Sequence, residues 1–160
     1  MIRAVALDVD GVLTDGRFYW GADGAEYKCF SFRDVMGISL ATKSGIVFAL
    51  ISGEESPQVD MFAQKMAILD VYKGCKDKAV AVREFALNHG LQNGEICFVG
   101  DDVNDLPAFA EVGFAAAPCD AHPDVIAAAN YVARASAGNG AVREVLDHLM
   151  ATARPSTIEG

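Results

Sequence analysis

Four cysteines, Cys29, Cys75, Cys97 and Cys119, are scattered through 160 residues with no Cys-x-x-Cys pair. That spacing indicates neither a zinc site nor a disulfide framework, and the four are expected as reduced thiols, mostly in the core. Positive charge is scarce as well: 13 Lys and Arg stand against 22 Asp and Glu, a net charge of -9. An extended phosphate backbone would be repelled over most of such a surface, so nucleic acid is not an expected partner. No apolar run reaches the roughly 18 residues that cross a bilayer. The N-terminus lacks the charged start and long apolar stretch of a signal peptide, so no membrane contact and a cytoplasmic location are expected. Internal repeats and low-complexity runs are missing too.

What the chain does have is apolar material, 52% of its residues, enough for one domain with a sizeable core. That domain is expected over residues 1–150, with a polar tail, "ATARPSTIEG", over 151–160. Short apolar runs of strand type recur at Val5–Leu7, Val47–Ile51, Ile96–Val99 and Phe114–Ala116. Stretches with helical spacing lie between them, such as Val59–Met66 and Lys78–Leu87. The alternation predicts an α/β fold, a doubly wound parallel sheet with helices on both faces. Ligands of such sheets bind beyond the carboxyl ends of the strands, near the point where the strand order reverses.

One segment departs from this pattern. "GRFYWGADGAEYKCFSF", residues 16–32, places two aromatic runs around the turn "GADG", which predicts a β-hairpin projecting from the domain. It holds six of the 14 aromatic residues, Phe18, Tyr19, Trp20, Tyr27, Phe30 and Phe32. An isolated hairpin is marginal alone, so these rings should bury against the domain or, preferably, against another subunit.

The chemistry gathers at the strand ends. Asp8 and Asp10, two apart in an extended segment, face one side, and Gly11 lets the chain turn away. Asp101, Asp102 and Asp105 arrive at the same rim in "VGDDVNDL". Two like charges about 4 Å apart cost about 4 kcal/mol at an effective dielectric near 20. A cation is therefore expected, and an all-oxygen ligand set points to Mg²⁺ with room left for a phosphate oxygen. A solvated acidic loop would explain either pair alone. An ordered series of an Asp pair, Ser-Gly, a helix-start Lys and a second Asp pair is much harder to explain that way.

"DVDGVLTDG", "ISGEES", "GCKDK" and "VGDDVNDLP" together resemble the four motifs of the haloacid dehalogenase superfamily, over nearly the whole chain. The resemblance implies that Asp8 is the nucleophile receiving a phosphoryl group and Asp10 the general acid and base. Ser52 and the Gly53 amide would hold the phosphate, and Lys78, rather than Lys76, would offset its charge. Asp8, Asp101 and the Asp10 carbonyl would hold Mg²⁺, with Asp102 and Asp105 behind them. A carboxylate attacks phosphorus only when the charge on both partners is offset, which this set provides. A receiver domain of signalling uses similar groups in another order, with its lysine after every acidic motif. A catalytically idle assembly domain is the other alternative.

Capped members of the superfamily insert a domain between these motifs. Here about 40 residues separate Asp10 from Ser52, and about 26 separate Ser52 from Lys78, so no cap is expected. "DGVLTDG", "FSFRDVMG", "GDDVNDLP" and "AGNGAVREV" look like the capless branch acting on 8- and 9-carbon ulosonic acid phosphates, which assembles as tetramers through its hairpins. Its octulosonate group carries an arginine after Ser/Thr-Gly; this chain has Glu54, with Lys65 eleven residues on, as in the nonulosonate group. The resemblance thus favours a nonulosonate 9-phosphate, with octulosonate 8-phosphate as the alternative. Glu54, Lys65 and Arg33 are the candidate substrate contacts. Asp34, next to Arg33, could serve there too or form a structural ion pair.

Overall fold

Strand β1 (Ala4–Leu7) is buried along its whole length, and its alternation sorts the core into two halves. Val5 and Leu7 join one apolar cluster with residues of α1 (Phe32–Lys43), α2 (Pro57–Met66) and α6 (Ala141–Thr152). Ala4 and Ala6 face the other side, against α3 (Lys78–His89), α4 (Leu106–Phe109) and α5 (Pro123–Ala128). That second face is rich in alanine, Ala49, Ala115 and Ala117 among them, which leaves room for the rings of Phe85, Phe98 and Phe109. The computed structural model describes residues 1–153, so most of the polar tail lies outside the described residues.

Strands β4 (Val47–Ile51), β5 (Asp70–Tyr72), β6 (Ile96–Val99), β7 (Phe114–Ala117) and β8 (Tyr131–Val132) complete the main sheet. The order is β5-β4-β1-β6-β7-β8, and every pairing is parallel. The chain winds outward from β1 through β4 to β5, then crosses to β6 and winds the other way. The reversal falls between β1 and β6, where the strand ends form a crevice. The doubly wound α/β sheet expected from the sequence is present, and no cap domain is inserted among the described residues.

Boundaries follow local chemistry. The Ser31 hydroxyl accepts from Arg33 N to start α1, Asp77 accepts from Ala79 N to start α3, and Gly90 ends α3 in the left-handed region at φ 60°. Helices α1 and α6 run side by side so closely that a Cβ on Gly37 would meet Arg143 Cα at 3.0 Å. Asp34 sits at their junction, buried, with Oδ1 accepting from Arg143 N at 2.9 Å. Burial pushes its carboxyl up from the ordinary range, while the amides of Arg143, Gly140 and Val142 pull the other way. Asp34 therefore caps α6 and does not reach the rim.

Four expectations are revised. The paired part of the hairpin is shorter than residues 16–32: only β2 (Tyr19–Trp20) and β3 (Glu26–Tyr27) pair, antiparallel, with Gly21 N donating to Ala25 O across the turn. Strands β5 and β8 were not anticipated, being two or three half-buried residues without an apolar run. Helix α6 continues to Thr152, past the expected start of the tail at 151. The cysteines are not mostly core: Cys97 is buried, Cys75 half-buried, and Cys29 and Cys119 exposed.

Candidate active site

Asp8 stands one residue past β1, in the crevice where the strand order reverses. Its amide donates to Val99 O at 3.0 Å, which ties it to the end of β6. The turn that follows folds the amides of Val12, Leu13 and Thr14 back onto Val9 O. Gly11 is required in this turn: its φ is 80°, and a Cβ there would come within 1.9 Å of Asp101 Oδ2.

Lys78 is the centre of the site. Its ammonium lies 2.8 Å from Asp8 Oδ1 and 2.6 Å from Asp105 Oδ1, with its side chain only 2% exposed. Burial alone would lower the lysine's pKa, but the carboxylates of Asp8 and Asp105 outweigh it and hold the group above its usual value. Asp105 is fully engaged, since its Oδ2 accepts from the amides of Asp101 and Asp102 at 2.8 and 3.3 Å. It thereby shapes the loop that presents Asp101. Asp102 is exposed and caps the next turn by accepting from Val103 N. Across the crevice, Ser52 is buried at the end of β4, and its hydroxyl accepts from Glu54 N at 3.1 Å.

Oxygens of Asp8, Asp101 and Asp105 lie within 4.8 Å of one another. Burial first, and the charge of Asp105 next, push the Asp8 carboxyl well above the usual carboxylate range. Burial likewise raises Asp101, to about 6. A cation beside Asp8 and Asp101 would favour their charged forms, and a hard, all-oxygen donor set fits Mg²⁺. Because Asp105 is already occupied by Lys78 and two amides, Asp8 and Asp101 are the side chains that fit the ion. The raised pKa of Asp101 carries a sign for stability: between the ordinary carboxylate range, about 4, and about 6 this carboxyl binds more proton in the native state than in the unfolded chain. Metal-free protein should therefore lose stability as pH rises through that window. Added Mg²⁺ should flatten the loss, as thermal melting at a series of pH values would show; identical profiles with and without Mg²⁺ would contradict the assignment.

Asp8, Ser52, Lys78, Asp101 and Asp102 line a cavity of about 250 Å³ with Asp10, Gly53 and Glu54, and Gly16, Arg17, Phe18 and Asn104 complete its lining. The structure thus brings Asp8, Asp10, Ser52, Gly53, Glu54, Lys78, Asp101 and Asp102 to one cavity, with Asp105 behind it. Lys65 and Arg33 are not brought there within one chain. The Lys65 ammonium lies 5.7 Å from the centre of the Phe32 ring and lines a separate apolar cavity, and Arg33 packs along Gly140. Sequence reasoning missed Arg17, Phe18 and Asn104 in the lining. It also missed Lys28, whose ammonium reaches Asp10. No motif or spacing in the sequence pairs Lys28 with Asp10, eighteen positions away.

Carboxylates around a buried ammonium, facing a hydroxyl and an amide at the carboxyl ends of a parallel sheet, suit phosphoryl transfer to water. Residues 27–146 match the family model for haloacid dehalogenase-like hydrolases, and the chain belongs to that family. It is a phosphoric monoester hydrolase of the kind that works with Mg²⁺. The chain is 40% identical over 149 residues to the 3-deoxy-D-manno-octulosonate 8-phosphate phosphatase of Yersinia pestis, covering 93% of this chain and 80% of that protein. A crystal structure of the Yersinia pestis phosphatase superposes with a TM-score of 0.91 at 39% identity, over 94% of this chain and 81% of that one. The Moraxella catarrhalis phosphatase, solved with a magnesium ion, a phosphate ion and a KDO molecule, superposes at 0.87 with 32% identity, over 96% and 94%.

Proposed function

We propose that this protein hydrolyses an ulosonic acid phosphate through a phosphoryl group carried on Asp8. The observation that carries the reading is the buried Asp8–Lys78–Asp105 array, 2.8 and 2.6 Å between charged atoms, facing Ser52 and Gly53 across the cavity. Bound Mg²⁺, held by Asp8 and Asp101, would offset the charge of the phosphate as the carboxylate approaches. Asp8 attacks phosphorus, the bond to the sugar oxygen breaks, and Asp10 gives that oxygen a proton. Asp10 then takes a proton from the water that attacks the aspartyl-phosphate, and inorganic phosphate leaves as Asp8 is restored. Ser52 and the Gly53 amide hold the phosphate oxygens, Asp102 stands at the metal side of the cavity, and Asp105 keeps Lys78 in place.

Two features support an acidic sugar as the substrate. Arg17 lines the cavity and forms no ion pair among the described residues, so it is available to a carboxylate of the sugar. The phosphatases it resembles act on octulosonate 8-phosphate. Glu54 instead favours a nonulosonate 9-phosphate, because a glutamate accepts hydrogen bonds from sugar hydroxyls where an arginine would clamp a carboxylate. A side-by-side comparison of kcat/KM on the two substrates decides between these readings, and turnover of neither would reject both. Glu54→Arg should move the preference about tenfold toward octulosonate 8-phosphate. An unchanged ratio would leave Glu54 without that role.

The hairpin supports an assembly of copies, a homotetramer. Phe18, Trp20, Tyr27 and Phe32 are 63%, 73%, 60% and 80% exposed, rings that a lone chain leaves in water. A second copy could also bring groups such as Lys65 to a neighbour's cavity. Trp20→Ser combined with Phe18→Ser should lower the mass seen by light scattering, and an unchanged mass would contradict the interface.

A further inference from the structure

Lys28 belongs to none of the motifs, yet its ammonium lies 2.6 Å from Asp10 Oδ1 with only 2% of its side chain exposed. A lysine is rarely buried without a specific partner, because its charge is strongly hydrated in water. Here the partner is the group assigned to proton transfer. The Thr14 hydroxyl donates to the same oxygen at 3.3 Å, so both donors take Oδ1 and leave Oδ2 to the cavity that Asp10 lines. The hairpin delivers the lysine. Past β3 the chain remains extended enough that Tyr27 and Cys29 point outward, while Lys28 and Phe30 turn inward, Phe30 stacking on Phe62 at 4.6 Å. The isolated bridge between Thr14 and Phe30 fixes this return strand to the loop that carries Asp10.

We propose that Lys28 is a positioning residue for proton transfer to the departing sugar oxygen. The inference rests on the phosphatase reading above. In that step the phosphorus–oxygen bond to the sugar breaks, its electron pair goes to the oxygen, and the Asp10 carboxyl supplies the proton. Asp10 gains negative charge as the proton leaves. The ammonium at Oδ1 is already in place to meet that charge, so it acts more strongly in the transition state than before it. It also fixes which oxygen faces the leaving group. An ion pair that only secured the hairpin would be indifferent to what leaves.

The leaving group therefore provides the test. Lys28→Met and the unaltered protein, both with Mg²⁺, are compared in single turnovers on a primary alkyl phosphate and on p-nitrophenyl phosphate. The alkoxide needs a proton to depart, whereas nitrophenolate leaves without one. Positioned proton donors contribute roughly 10²- to 10⁴-fold, so the alkyl-to-aryl ratio of rate constants should fall by about 30-fold or more. Lys28→Arg should recover most of it, and Lys28→Met should lower the alkyl rate no further when Asp10 is already asparagine. Equal losses on both substrates, no loss on either, or additive losses with Asp10→Asn would overturn the proposal. If the unaltered protein turned over no ulosonic acid phosphate, the substrate reading would fall, while this ratio would still be measurable with a simple alkyl phosphate.

Discussion

Asp8→Asn is expected to reduce Mg²⁺-dependent phosphate release by a factor on the order of 10⁴ and to leave the metal-free protein at least as stable as before. The first effect follows from removing the attacking oxygen's charge. The second follows from the site's electrostatics: burial and Asp105 already push the Asp8 carboxyl well above its usual range, so in the metal-free protein its charged form is a cost. The amide keeps the shape, and Lys78 retains Asp105 at 2.6 Å. Steady-state phosphate assay and thermal melting in a chelator check the two halves. Substantial turnover in the variant would remove Asp8 as nucleophile, and a large fall in melting temperature would show that its charge is structural.

Lys78→Met should do harm on both counts. Two buried carboxylates would lose their shared counter-charge, and breaking a buried ion pair from one side costs about 3–5 kcal/mol. Rate should fall as well, by roughly 10²- to 10³-fold, the loss seen when a group that meets developing charge is removed. Urea unfolding in a chelator measures the stability term. Mg²⁺ should restore part of it, since the ion meets Asp8, but not the rate. A variant as stable as the unaltered chain would contradict this structural role of Lys78.

The contrast between these two neighbours shows what the sequence could and could not disclose. Asp8, Ser52, Lys78 and Asp101 were legible because each closes a strand or opens a helix, and the alternating architecture sends all such ends to one rim. The central strands were legible for a similar reason, as Val47–Ile51 and Ile96–Val99 were read with the bounds they have. The short outer strands β5 and β8 were not, because half-buried edge residues need no apolar run and take their conformation from the strand beside them. Contacts between distant segments were also hidden. Lys28 meets Asp10 across 18 positions, and Asp34 meets Arg143 across 109. Neither separation leaves a periodic trace, so Asp34 could be read as a substrate contact until its burial at the start of α6 was seen. The hairpin aromatics part ways for the same reason: Phe30 finds Phe62, 32 positions on, while Phe18, Trp20, Tyr27 and Phe32 stay exposed.

The central claim, a phosphoryl group carried on Asp8, has a direct test. Asp10→Asn slows the second step by removing its base, while an aryl phosphate lets the first step proceed without an acid. Acid-quenched single turnovers of this variant with p-nitrophenyl phosphate and Mg²⁺, followed by peptide mass spectrometry, should show a phosphoryl group on the segment containing Asp8 and on no other. Nitrophenolate release with that segment unmodified, or with the modification elsewhere, would contradict the account.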